Sequence, residues 1–388
     1  MNSFLAKISL YRFLDDFILV YPVYTLMFED AGVSKSGISL LFIIWIIISL
    51  VFEVPSGVLA DRYNRKWILF IAQPIRLLGY VCWLCAGSSF WLYALGFALW
   101  GIKGALVSGT FESYVYDELA AENRQKEYEK VLGRLKFWYH LALAGSMAGA
   151  VLVDYLGSYT VVLVASIISV ACSALIIFTF PQPSKVRSTS EVNVFPILGK
   201  AIREIRQNTS LFSILSFTVV VTAVYGTLDE YWGLYFRDIG WRISAIGMIA
   251  LLGFSLQAIA SFLAPRVHVS RQVERGVIYL TFMYTGLLVS GLLLNMRWSV
   301  ILIVLANVVA TIATVKLENE MQQRIQADER ATITSLQKFF MGTLAMGFTG
   351  LIGCITHYAS LQAGLIAVSL FAGLAGLATL IQKHPQAN

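Results

Sequence analysis

Charge is scarce in this sequence. Lys, Arg, Asp and Glu together make up 13% of its 388 residues, about half of the ~25% typical of soluble domains. So little ionic surface excludes an ordinary water-exposed fold of this size. There are four cysteines, Cys82, Cys85, Cys172 and Cys354, and all fall inside apolar runs, which argues against a disulfide framework. Cys82 and Cys85 have the spacing of a metal or redox pair, but no second pair accompanies them. No Gly-x-x-x-x-Gly-Lys-Ser/Thr loop occurs, so ATP is not expected to drive the protein. No Ser/His/Asp constellation and no cluster of metal ligands points to catalysis. Neither an enzyme nor a bound cofactor is expected.

What the sequence has in abundance is apolar length. Hydrophobic residues make up 57% of the chain and the mean hydropathy is +0.71. The apolar runs are about 20 residues long, the length of a membrane-spanning helix. They are too long, and alternate too little, for membrane strands. Twelve spans are predicted, near 5–28, 36–60, 67–88, 91–117, 133–156, 159–180, 209–236, 243–266, 275–294, 298–321, 331–357 and 360–382. The first does not read as a cleaved signal peptide. It outruns an h-region, carries Arg12, Asp15 and Asp16, and lacks a small-residue cleavage site. With both termini in the cytoplasm, the inner segments hold twenty Lys and Arg. The outer segments hold four, Lys35, Arg237, Arg242 and Arg297. That asymmetry predicts a multi-pass protein of the cytoplasmic (inner) membrane with both ends inside. The net charge of +6 is then a matter of loop orientation, and no nucleic-acid partner is expected.

The longest internal polar segment, 181–208, separates six spans from six. Residues 1–180 and 209–388 are therefore expected to form two helical bundles joined by a cytoplasmic linker. Phe-Glu-Asp-Ala-Gly-Val-Ser-Lys-Ser-Gly-Ile-Ser-Leu-Leu-Phe (28–42) echoes Phe-Arg-Asp-Ile-Gly-Trp-Arg-Ile-Ser-Ala-Ile-Gly-Met-Ile-Ala (236–250) at one constant offset. This is the mark of a parallel repeat of two six-helix halves.

Between the second and third spans stands Gly57-Val58-Leu59-Ala60-Asp61-Arg62-Tyr63-Asn64-Arg65-Lys66. It resembles the signature loop of the major facilitator superfamily, Gly-x-Leu-Ala-Asp-Arg-x-Gly-Arg-Lys, at nine of ten positions, with Asn64 in place of Gly. Asn tolerates the left-handed backbone next best after Gly. The resemblance implies an all-α membrane protein with twelve transmembrane helices in two pseudo-symmetric six-helix bundles, working by alternating access. It also implies that Gly57, Asp61, Arg62, Arg65 and Lys66 form a conformational latch, with Asp61 facing the stretch from Ala331 to Ser335. A plain positive-inside loop with one incidental acid is the alternative. Two other marks are weaker. Ala-Gly-Ser-Met-Ala-Gly-Ala (144–150) resembles the helix-5 Gly-Pro-x-x-Gly-Gly of proton-coupled exporters, but Ser146 replaces the Pro and Ala150 a Gly. The Arg that the superfamily often has in helix 4 falls at Phe97, with a basic residue at Lys103 instead.

Ionisable groups within spans are costly and mark function or a partner. Arg12, Asp15, Asp16, Arg76 and Lys103 lie near mid-membrane, all in the first half. Arg12 is three and four residues from the two acids, so the three share a helical face. One acid is expected to pair with Arg12, leaving the other for Arg76, Lys103 or a proton. Glu112 stands in a polar stripe with Ser108 and Tyr116. In the seventh span Tyr225, Asp229, Trp232 and Phe236 are expected along one face, with Glu230 beside them. Asp15, Asp16, Glu112, Asp229 and Glu230 are the candidates for proton coupling. Arg12, Arg76, Lys103, Tyr116, Tyr225 and Trp232 are the candidates for substrate binding. Structural ion pairs and an interfacial aromatic belt are the competing readings.

The expected function is secondary active transport of a small organic solute, carboxylate-bearing or amphiphilic, because mid-membrane cations outnumber acids by three to two. Proton coupling is favoured, with export slightly ahead of import. An importer of an anionic metabolite or siderophore, or a passive facilitator, are the alternatives. The expected partners are the solute, protons and the bilayer, and nothing in the sequence requires more than a monomer.

Overall fold

The computed structural model describes residues 2–124, 127–181, 203, 205–267, 273–325 and 330–383. Among them there is no strand. The first part of the chain forms α1 (Asn2–Asp16), α2 (Tyr24–Asp30), α3 (Lys35–Arg62), α4 (Arg65–Leu84), α5 (Phe90–Val107), α6 (Thr110–Ala121), α7 (Tyr128–Ser146), α8 (Ala148–Leu156) and α9 (Tyr159–Phe178). The second part forms α10 (Thr209–Asp229), α11 (Trp232–Asp238), α12 (Ile243–Leu263), α13 (Val273–Leu294), α14 (Val300–Arg324), α15 (Arg330–Tyr358) and α16 (Leu361–Lys383). Several helix starts carry a side-chain cap. Ser34, Asn64, Ser158 and Asn208 each accept a bond from a first-turn N–H, as N-caps do.

Eleven segments among the described residues are long and apolar enough to cross a membrane. The expected first span is not one continuous helix. It stops at Asp16 and resumes at Tyr24, so residues 17–23 are unwound at membrane depth. The fourth span breaks at Ser108–Gly109, where Gly109 takes φ 70°. The fifth turns at Met147, and the seventh breaks between Asp229 and Trp232. The expected single face of Tyr225, Asp229, Trp232 and Phe236 is therefore split between two helices. The second span runs on to Arg62, so Gly57 to Asp61 are helical and the true loop is Tyr63–Asn64.

The internal repeat is visible in the backbone. Tyr24 and Trp232, and Lys35 and Ile243, open matching helices 208 residues apart. The turns between them are closed by Gly32 (φ 90°) and Gly240 (φ 89°), also 208 apart. Only glycine takes that conformation without strain.

By its contacts the chain divides into two compact units, residues 1–191 with 242–251, and 192–241 with 252–388. The first has a core around Tyr11, Leu69, Phe111, Tyr114 and Ile177. The second has one around Leu211, Phe217, Ile278, Leu317 and Ile333. In the first unit the unwound stretch lies against the turn of the fifth span. A Cβ on Gly149 would overlap the Leu19 carbonyl. Gly149→Ala is expected to lower the melting temperature, costing roughly 1–3 kcal/mol by overpacking. Gly133→Ala, on the same span with open space around it, is expected to be neutral or stabilising by a few tenths of a kcal/mol or more. Thermal unfolding of the two purified variants checks the pair.

Candidate functional site

A backbone unwound in a membrane must find partners for its N–H and C=O groups. Here small polar side chains on neighbouring spans supply them. The Ile18 N–H donates to Ser146 Oγ (2.8 Å) and the Val20 N–H to Ser166 Oγ (3.1 Å). Ser169 Oγ donates to the Leu14 carbonyl (2.8 Å) and Arg76 Nη1 to the Asp15 carbonyl (2.7 Å). Ser146, the departure from the exporter-like motif, thus caps the broken first span. Helix 5 puts a hydroxyl where a proline would offer none.

The break holds two adjacent carboxylates in different settings. Asp15 is buried, 1% exposed, between two buried cations. Lys103 Nζ donates to Oδ2 at 2.8 Å and Arg76 Nη1 to Oδ1 at 3.5 Å. Arg76 is fixed further by Nε donating to the Tyr80 hydroxyl (3.0 Å) and by the ring of Trp100, 5.3 Å from its guanidinium carbon. Trp100 belongs to an aromatic cluster with Tyr24, Trp45, Trp83 and Phe97. The helix-4 position where the resemblance leads one to look for Arg is filled by Phe97 as part of that cluster. Arg76 and Lys103, expected as substrate ligands, are engaged by Asp15.

Asp16 sits at the rim, its side chain 17% exposed beside Arg12 at 23%. Arg12 Nε is 3.0 Å from Asp16 Oδ2, yet that oxygen is buried without an aligned hydrogen-bond donor. The pair is held by charge more than by a directed bond. The other face of Arg12 covers Tyr139, 4.9 Å from its ring centre. Across the five groups, three cations meet two anions. Asp15 is bound by two of those cations and Asp16 by the third alone.

The remaining candidates lie elsewhere. Glu112 is exposed in the first turn of α6, past the Gly109 break, where a negative charge suits the helix N-terminus. Tyr116 is exposed and packs edge-on to Tyr128. Glu53 accepts from Ser108 Oγ (3.1 Å) and braces the break in the fourth span. Arg65 pairs with Asp117. Lys66 Nζ donates to the carbonyls of Phe178 (2.9 Å) and Phe180 (2.7 Å), closing the end of α9. Two of the expected latch residues therefore tie helices within the first unit. Arg62 is exposed, and a side chain at Gly57 would meet nothing within 4 Å. The Asp61 side chain lies outside the described residues.

The second unit gathers uncharged polar groups. Tyr225 donates to Gln257 Oε1 at 2.6 Å and meets the Thr311 hydroxyl. Tyr284 lies beside Tyr225 and Asp229, with its buried hydroxyl unpartnered, and Asn307 Oδ1 is likewise unpartnered. Asp229 is half-buried, and Glu230 follows as the cap of α10. Trp232 is buried and stacked on Phe236. Sequence reasoning missed Gln257, Tyr284, Asn307 and Thr311. Their signal is a lone amide or hydroxyl in an apolar span, which packing residues share.

A family model described as Major Facilitator Superfamily matches residues 8–350, and the chain belongs to that family. Its long apolar helices fit a multi-pass membrane protein of that family. The MFS-type transporter YxaM of Bacillus subtilis is 24% identical over 60% of this chain and 58% of its own length. The multidrug resistance protein MdtG of Citrobacter koseri is 24% identical over 65% of this chain and 61% of its own. The chain thus spans about three fifths of the length of these curated relatives. Among solved structures, a nucleoside transporter, NupG, superposes with TM-score 0.80 at 12% identity, covering 98% of this chain and 100% of that one. A bacterial homologue of the lysosomal transporter Spinster gives TM-score 0.75 at 15% identity, covering 98% and 96%. Both share the fold.

The two carboxylates are expected to differ in what they support. Asp15→Asn leaves two buried cations with one neutral partner and should destabilise the protein by roughly 3–5 kcal/mol. Asp16→Asn removes a rim charge from a partly solvated pair and should cost no more than about 1 kcal/mol. Melting curves in detergent, read side by side, check the order.

Proposed function

We propose that this protein is a proton-coupled secondary transporter of a small organic anion, carboxylate-bearing or amphiphilic, in the cytoplasmic membrane, and that it carries solute and proton in the same direction. The observation that carries the reading is the Arg12–Asp16 pair, part-open and undirected, beside an Asp15 already bound by two cations. Arg12 is the cation whose partner a ligand can replace. A solute carboxylate taking the guanidinium releases Asp16 to accept a proton, and departure of the solute restores the pair. Solute and proton thereby occupy the site together. The relation to a multidrug resistance protein favours export as a second reading, in which Asp16 gives up its proton before the solute binds.

In this reading residues 1–180 and 209–388 are two six-helix bundles joined by 181–208. They alternate access with both termini in the cytoplasm, and Asp61 acts as a latch residue. The transporter is a monomer. Glu112, Asp229 and Glu230 are secondary candidates for the proton.

The test is flux in liposomes loaded with a pH-sensitive dye, with candidate carboxylates and drugs added one at a time. Wild type is expected to move protons only when a transported anion is present. Asp16→Asn is expected to lose proton movement at least tenfold while keeping downhill solute flux. Arg12→Gln is expected to lose both. Solute flux without proton movement in wild type, unchanged in Asp16→Asn, leaves a facilitator and refutes the proposal.

A further inference from the structure

A narrow apolar cavity of about 430 Å³ runs between α10 and α15 in the second unit, and none of the residues of the proposed transport site lines it. Leu215 and Val219, one turn apart on α10, and Phe340 and Leu344, one turn apart on α15, line it. Phe212 and Phe340 remain 49% and 46% exposed. Its polar lining is small. The Thr343 hydroxyl is turned to the Phe339 carbonyl (2.9 Å), and Ser216 is half-buried. One cation stands at the end, Arg206, exposed and without an ion pair or hydrogen bond among the described residues.

We propose that this groove holds one acyl chain of an anionic membrane phospholipid, with the headgroup phosphate on Arg206. The shape favours a chain. The lining runs from Ile205 to Val220, on the order of 20 Å of helix axis. A cavity of 430 Å³ over that length is narrow, with a mean cross-section of roughly 20 Å², which admits a single extended alkyl chain. The placement favours a lipid. Arg206 precedes the N-cap Asn208 of a membrane-spanning helix, so it stands at the depth of lipid phosphates while the groove descends into the hydrocarbon. Charge favours an anionic headgroup. Arg206 has no charged partner among the described residues, and Arg203, three residues earlier, is also exposed. Basic pockets between transmembrane helices attract such headgroups. The groove walls belong to the core of the unit, where Leu215, Val219, Leu336 and Leu344 pack together. The site is therefore preformed.

Native mass spectrometry of the full-length protein in detergent, titrated with phosphatidylglycerol or phosphatidylcholine, tests this. Wild type is expected to retain one phosphatidylglycerol with about a five-fold preference over phosphatidylcholine, the effect of one interfacial cation. Arg206→Gln should erase the preference and keep weak binding of both. Ser216→Trp, which fills the groove, should lose both. Melting temperatures report folding, and the exposed Arg206 keeps the test decisive if Ser216→Trp does not fold. Equal retention of the two lipids by wild type, or phosphatidylglycerol binding unchanged by Arg206→Gln, overturns the proposal. So does retention of decanoate with no phospholipid, which would assign the groove to a soluble amphiphile.

Discussion

Asp15, closed off from solvent between Lys103 and Arg76, is the contact on which the first unit is organised. None of the three charges is tolerable alone in an apolar interior. Together they draw the end of α1, the middle of α4 and the C-terminal half of α5 to one point. The same Arg76 that pairs with the Asp15 side chain also takes its carbonyl. The ion pair thereby fixes the place where the first span unwinds. Once unwound, that span needs Ser146, Ser166 and Ser169 for its backbone and Gly149 for room. One buried carboxylate therefore explains hydroxyls on two other spans and a glycine on one of them.

The internal repeat kept its backbone and lost its chemistry. The short helices at Tyr24 and Trp232 and the left-handed glycines at 32 and 240 correspond. The fully buried charges, Asp15, Lys66, Arg76 and Lys103, all lie in the first unit. The second unit answers with Tyr225, Gln257, Tyr284 and Asn307. A shared fold leaves such choices open, since function resides in the side chains placed on it.

Much of this was legible in the sequence. Apolar length predicted the spans because a bilayer imposes that length on any helix crossing it. The five mid-membrane charges stood out because such groups are costly there, and all five are paired, three around Asp15 and two at Asp16. Which charge meets which was not legible. Helical spacing joined Arg12 to both acids, and only packing between spans shows that Asp15 turns to Lys103 and Arg76 while Asp16 keeps Arg12. The breaks at residues 17–23 and after Asp229 were hidden too. Residues 17–23 are apolar or aromatic, with Pro22 the one breaker among them, and their backbone partners Ser146 and Ser166 lie more than a hundred positions away. Ser146 read as the loss of a proline motif, because a hydroxyl in an apolar helix gives no sign of its acceptor role.

The central claim is that Asp16, and not Asp15, exchanges a proton. Infrared difference spectroscopy of the protein in lipid, recorded between acidic and neutral pH, measures this directly. The account predicts a protonated-carboxyl band that vanishes in Asp16→Asn and is strengthened when a transported anion occupies Arg12. A band that survives in Asp16→Asn and is lost instead in Asp229→Asn would contradict it.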